Sequence, residues 1–350
     1  MSVVRQGIGH ESRVLFQEID WPAIKALADA HGLSAIILDA LNTGSTNLQD
    51  SIPVQMKLEW IGEVVQSYEG MYAAYVNAIG NLANFYNQHG YKMMVLKGYG
   101  SSLNWPRPEH RPCGDIDIWQ FGKQKDADAV LANEKGVKID TSHHHHTVFE
   151  WDGFSVENHY DFINVHHHKS NAEFEKILKQ LGEDDSHFVV LNGEKVYLPS
   201  PNLHALFLLK HLMMHFAAEG IMLRQVVDWG FFVENHSKEI DWDYVVDVLN
   251  RFGMFQMFNV INAICVGDLG FDVRYFPSVQ FDPNLKDRVV NEILEPQYSA
   301  SVPKGIYSRI VFKINRWKAN EWKHRLCYND SMWSAFWSGV KSHLLKPSSI

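Results

Sequence analysis

Cysteine is scarce in this chain: three in 350 residues, at Cys113, Cys265 and Cys327, far apart and odd in number. No CxxC pair occurs, so neither a disulfide framework nor a cysteine zinc site is indicated, and a reducing cytoplasm is the natural compartment. Also missing is any uninterrupted apolar run of about 18 residues, the length a transmembrane helix needs. The N-terminal MSVVRQGIGHESRV has no apolar run of the signal-peptide kind. Positive charge is in deficit, with 32 Lys and Arg against 41 Asp and Glu and a formal net charge of −9. Duplex affinity comes mainly from Lys and Arg set against phosphates, so general nucleic-acid binding is not expected.

What is present is apolar residue, 46% of the chain, enough for one large core or two ordinary ones; the length favours about two domains. Charged residues make up 21%, which does not indicate wholesale disorder. Residues 10–90 read mostly as helix. Asp20 is placed to cap a helix carrying Trp21, Ile24, Leu27 and Ala28, and residues 54–89 form a long amphipathic pattern that stops near Gly90. Tyr91–Leu96 suits a short buried strand, and a loop rich in Gly, Ser and Pro follows. Asp115–Phe121 alternates polar and apolar as a half-buried strand does, and Asp126–Gly136 suits a helix. Lys138–Trp151 and Phe154–Phe162 read as two strands joined by an Asp152-Gly153 turn. This block describes a small α/β domain. Beyond Lys169 the chain reads as helical, with candidates at Leu203–Phe216, Ile221–Glu234 and Asp241–Phe252, and with Val196–Pro201 as a connector.

The residues that carry chemistry begin with Asp115-Ile116-Asp117. Residues two apart on a strand project to one side, so both carboxylates share a face while Ile116 and Ile118 enter the core. Two close carboxylates repel unless a divalent cation sits between them, and Mg²⁺ prefers such hard oxygen donors. Glu157, in Ser155-Val156-Glu157-Asn158-His159, supplies a third carboxylate if its strand lies beside that of Asp115, with Asp161 in reserve. Two ions roughly 3.5–4 Å apart can clamp the attacking and leaving oxygens of an in-line displacement. Upstream, Lys97-Gly98 ends a strand: glycine lets backbone approach phosphate oxygens, and Lys97 either answers β- or γ-phosphate charge or caps the strand end. Arg111, four residues before Asp115, can add a bidentate fork.

Leu96-Lys97-Gly98, the loop prolines Pro106 and Pro108, Arg111, Asp115-Ile116-Asp117-Ile118 and Val156-Glu157-Asn158-His159 together resemble the nucleotidyltransferase superfamily of DNA polymerase β. Within it they resemble the bacterial uncharacterised nucleotidyltransferases. Leu223-Arg224, Asp228 and Asp241-Trp242 match that family's downstream pattern, and the resemblance spans roughly residues 55–270. It implies an α/β (α+β) fold with a small mixed-sheet core. It implies transfer of a nucleoside monophosphate from a triphosphate, ATP being the expected one, to a hydroxyl-bearing acceptor, with two Mg²⁺ ions. Asp115, Asp117 and Glu157 are then the catalytic and metal residues, and Lys97, Gly98, Arg111 and Arg224 the nucleotide-binding ones.

The expected organisation is an N-terminal helical region at 1–90, the catalytic core at 91–170, a helical domain at 171–303 and a basic, Trp-rich tail at 304–350. The tail holds nine Lys or Arg against two acids, interleaved with Trp317, Trp322, Trp333 and Trp337. It can rest on an anionic membrane surface, giving a peripheral address, or dock onto the acidic body, the reading preferred here. His143–His146 and His166–His168 invite a zinc reading, with His144 and His146 sharing a strand face; a solvated strand and a polar loop is the blander one. His159 is expected on the face opposite Glu157, in a packing role. Two rival functions stand beside the transferase: an inactive binding or regulatory protein of the same fold, and a zinc protein built on the His clusters.

Overall fold

The computed structural model describes residues 1–10, 19–43, 46–166, 168–297 and 305–333. It divides into two compact units, one of Met1–Ser51 with Leu208–Met332, the other built on Ile52–Phe207.

The second unit holds a six-stranded mixed sheet flanked by helices. Its strands are β1 (Met94–Val95), β2 (Ile116–Trp119), β3 (His146–Trp151), β4 (Phe154–His159), β5 (Phe188–Leu191) and β6 (Glu194–Tyr197). Their order across the sheet is β3-β4-β2-β1-β6-β5. β2 and β4 run parallel, as do β1 and β6, and the other neighbours are antiparallel.

Turn chemistry closes both hairpins. Asp152 and Gly153 lie at φ +49° and +85°, Asn192 and Gly193 at +52° and +84°. Two consecutive left-handed residues give the tight turn whose twist matches antiparallel strands. The second hairpin was not expected, and Val196–Pro201 is no mere connector, since Glu194–Tyr197 pairs with β5 and extends the sheet beyond β1. Strand structure also starts later than Lys138: Asp140 makes an isolated bridge to Val148, and β3 begins only at His146.

Ile116, Ile118, Val156, Phe149 and Phe154 project from one face of the sheet into a core shared with Tyr75, Ile79, Leu82, Tyr86 and Leu131. Those partners come from Met71–Gln88 and Gln124–Lys135. The first continues Val54–Val64 through a π-helical segment at Val65–Gly70, which accounts for the long amphipathic pattern. The second stops at Gly136, φ +66°, as the glycine predicts. Asp128 pins it to the sheet by accepting from Thr147 Oγ1 at 2.7 Å and Asn158 Nδ2 at 2.8 Å. With this face covered, the pleat commits Asp117, Glu157, His159 and His146 to the other.

The first unit is helical. Asp20 and Asp241 cap Trp21–Ala30 and Trp242–Arg251 by accepting from Ala23 N and Tyr244 N. Around Trp229, whose indole donates to Asn262 Oδ1 at 2.8 Å, pack Phe232, Trp242 and Phe258. Residues 305–332 of the basic tail belong to this unit. Lys323 pairs with Glu292 at 2.6 Å, and the Arg288 guanidinium lies 3.9 Å from the Trp322 ring centroid. Trp337 and the rest of 334–350 lie outside the described residues. Among the described residues no helix is long and apolar enough to cross a membrane.

Candidate active site

Two strands bring the principal carboxylates together. β2 and β4 pair in parallel with Asp117 opposite Glu157 and Trp119 opposite His159. Parallel in-register residues point to the same face, so Asp117 and Glu157 stand side by side. Residues 94–96 run antiparallel along β2, with Leu96 N donating to Asp117 O at 3.0 Å, and this delivers Lys97 to the same spot. Lys97 Nζ lies 2.9 Å from Asp117 Oδ1, and His159 Nε2 reaches that oxygen at 3.1 Å. His159 Nε2 is also 3.5 Å from Glu157 Oε2, and His146 Nε2 is 3.8 Å from Glu157 Oε1.

His159 therefore shares the face of Glu157 and does not oppose it. Its spacing of two residues from Glu157 was itself the signal, because strand side chains repeat with period two. In place of a packing residue, the structure has a buried imidazole bonded to Asp117 and near Glu157.

Asp117 is 1% exposed. Burial works against its charge, yet Lys97 and then His159 hold its carboxyl well below the usual carboxylate range. Burial likewise opposes a charge on His159, but its bonds to Asp117 and Glu157 push its pKa up to about 9. Glu157, half-buried, is lowered: desolvation is overcome by the hydrogen bond to His159. Lys97 is raised, the penalty of burial being outweighed by Asp117 and Asp115. The centre is thus a compact charged cluster in which cations and carboxylates neutralise one another.

Asp115 sits in a bend just ahead of β2, and the residue as a whole is exposed. Desolvation of its carboxyl, and then the negative charge of Asp117, raise its pKa. Among the described residues the carboxylate-bearing group whose ligand atoms lie within 4.8 Å of one another is Asp117, Glu157 and His159; Asp115 is outside it. Asp161 is engaged with Lys179. Gly98 has φ +59°, and a Cβ there would stand 2.4 Å from Tyr75 Oη, so only glycine fits. That Tyr75 hydroxyl donates to Asp115 O at 2.9 Å, tying the strand end at Gly98 to the entry of β2. Arg111 is buried in the intervening loop, where Nη1 donates to Pro112 O at 3.2 Å. Arg224 lies on Leu223–His236 in the other unit.

The histidine tract splits. His143–His145 form a bend and only His146 is on a strand. His144 approaches His166, ring centroids 5.2 Å apart, while His146 faces β4, so the two do not share a strand face. Burial pushes His145 down to about 2 and His146 to about 4, keeping both imidazoles neutral.

Compared with known families, residues 17–266 match the model of the uncharacterised nucleotidyltransferase family. The chain belongs to that family. No curated protein and no solved structure matches it. The match covers the parallel β2–β4 pair, the Lys97 strand end and both hairpins.

Proposed function

We propose that the chain transfers a nucleoside monophosphate from a triphosphate, ATP in the first instance, to a hydroxyl-bearing acceptor, using Mg²⁺ at Asp115, Asp117 and Glu157. The observation that carries this reading is the in-register pairing of Asp117 and Glu157 on parallel strands, with Lys97 at 2.9 Å. The donor set fits the ion. Two carboxylates offer the hard oxygens that Mg²⁺ takes, while the softer His159 nitrogen serves to orient Asp117. Asp115 joins them from the strand entry, where desolvation and then the charge of Asp117 raise its pKa, both of which a cation offsets. When bound, paired divalent ions neutralise the triphosphate and favour the ionised acceptor hydroxyl.

The chain's own residues do the rest. Lys97 balances Asp117 in the resting arrangement and, in this reading, answers phosphate charge when a cation takes up the carboxylate. In this reading Glu157 helps the acceptor hydroxyl lose its proton; the His159 imidazole lies 3.5 Å from its Oε2. Gly98 stands at the strand end where, on this proposal, backbone approaches phosphate oxygens; the space of its missing side chain is taken by Tyr75 Oη. Arg111 completes the nucleotide contacts in this reading. The catalytic core is the block 91–170 together with the β5–β6 hairpin that finishes its sheet.

A transfer screen tests this. Purified chain, α-labelled triphosphates, Mg²⁺ and fractionated lysate are incubated, and label is followed onto protein, nucleic acid or small molecule. The reading expects label transfer that falls at least about 100-fold in Asp117→Asn and in Glu157→Gln. Transfer undiminished in either variant overturns the carboxylate assignment, and absence of transfer, with triphosphate and Mg²⁺ that give no heat on calorimetric titration, favours an inactive protein of the same fold.

A further inference from the structure

Beside the carboxylate pair lies a second convergent group. His145, His146 and His159 offer ligand nitrogens all within 4.8 Å of one another. Ring centroids are 4.3 Å apart for His145 and His146, 5.2 Å for His146 and His159, and 5.5 Å for His145 and His159. The backbone builds this arrangement. His146 stands opposite His159 in the β3–β4 ladder, and the His145 carbonyl accepts from Tyr160 N at 3.0 Å and Asp161 N at 3.1 Å, clamping the histidine bend to the end of β4.

The Nδ1 atoms of His145 and His146 are both buried without a hydrogen-bond partner. Leaving buried polar nitrogens unsatisfied is costly, and two on adjacent residues call for an explanation. Glu157 Oε1, 3.8 Å from His146 Nε2, adds a carboxylate at the rim.

We propose that His145, His146 and His159 bind one transition-metal ion of the zinc class, with Glu157 as the available fourth ligand. Imidazole nitrogens suit zinc, copper, nickel or iron and not magnesium, so this site differs in selectivity from the oxygen-rich one it adjoins. Tetrahedral zinc holds its nitrogens about 3.3–3.4 Å apart, so small side-chain rotations close the set around an ion. His159 belongs to both groups; with Nδ1 donating to Asp161 O at 3.2 Å, its Nε2 takes the zinc-class ion in exchange for its hydrogen bond to Asp117.

The test reads metal rather than transfer. Untagged full-length chain, stripped with chelator, is titrated with Co²⁺ as a spectroscopic stand-in for zinc. We expect one Co²⁺ per chain with the intense visible bands of a four-coordinate ion, displaced by equimolar Zn²⁺ and unmoved by excess Mg²⁺. H145Q and H146Q each weaken binding by at least about tenfold. Controls address the other clustered histidines: H143Q/H144Q, and H211Q/H215Q, whose Nε2 atoms lie 3.2 Å apart on one helix, leave the spectrum unchanged. X-ray absorption on the zinc-loaded wild type, expected to show several imidazole shells, does not depend on how any variant folds. Absence of stoichiometric Co²⁺, loss of it in H211Q/H215Q but not in H146Q, displacement by Mg²⁺, or an all-oxygen zinc shell overturns the proposal.

Discussion

Lys97 Nζ sits 2.9 Å from Asp117 Oδ1 on a carboxylate that is 1% exposed. Breaking such a pair from one side leaves a buried charge only partly compensated, by His159 for Asp117 or by Asp115 and Glu157 for Lys97, at a cost of up to about 3 kcal/mol. Lys97→Met and Asp117→Asn should therefore each lower stability, and the double variant should lose clearly less than the sum. Urea unfolding of the four proteins measures this coupling. Additivity to within about 0.5 kcal/mol would show that the pair does not interact in the folded chain.

Gly98 makes a second demand on the same strand end. A Cβ there meets Tyr75 Oη at 2.4 Å, whereas one at Gly136, with a similar φ of +66°, meets nothing within 4 Å. Gly136→Ala should cost only the left-handed backbone penalty of about 1 kcal/mol. Gly98→Ala should cost distinctly more and should disturb the Tyr75–Asp115 hydrogen bond. Equal losses for the two in urea would mean that the close approach is not real.

On the covered face, Asp128 accepts from both Thr147 and Asn158. Asp128→Ala leaves two buried donors unsatisfied, an expected loss of about 2–3 kcal/mol, while Mg²⁺-triphosphate affinity stays near wild type because the site is on the opposite face. Affinity falling in proportion to stability contradicts that separation.

Lys210 in the helical unit gives a pH signature. It is fully buried, its ammonium 4.2 Å from the Tyr328 ring centroid, and burial pushes its pKa down to about 7. Between that value and the ordinary one, the unfolded chain holds a proton that the folded chain has released. Lys210's contribution to stability therefore rises with pH across this window, and the penalty is full below it. Lys210→Met should raise the melting temperature most near pH 6 and least near pH 10. A pH-independent gain would show that Lys210 is not desolvated in this way.

Much of the site was legible because short-range rules govern it. Alternation placed Ile116 and Ile118 inward, Asp152-Gly153 closed a hairpin, and Asp20 capped its helix as a side chain of that kind does. Missing was long-range pairing. β5 and β6 are four residues each at the sheet's edge, too short for a clear period, although Asn192-Gly193 carries the same turn signal as Asp152-Gly153. The histidine convergence needed register: counting back from the two-residue turn, Trp151 opposite Phe154 places His146 opposite His159. The Lys97–Asp117 contact needed the order of β1 and β2 in the sheet, which no local pattern encodes.

Joint capture of a divalent ion and a triphosphate by Asp117 and Glu157 is most directly measured by electron paramagnetic resonance. Mn²⁺ replaces Mg²⁺, and a non-hydrolysable triphosphate analogue is present. The account predicts analogue-dependent Mn²⁺ binding by the wild type, weakened at least about tenfold in both Asp117→Asn and Glu157→Gln. Mn²⁺ bound equally well by folded Asp117→Asn and Glu157→Gln proteins would contradict it.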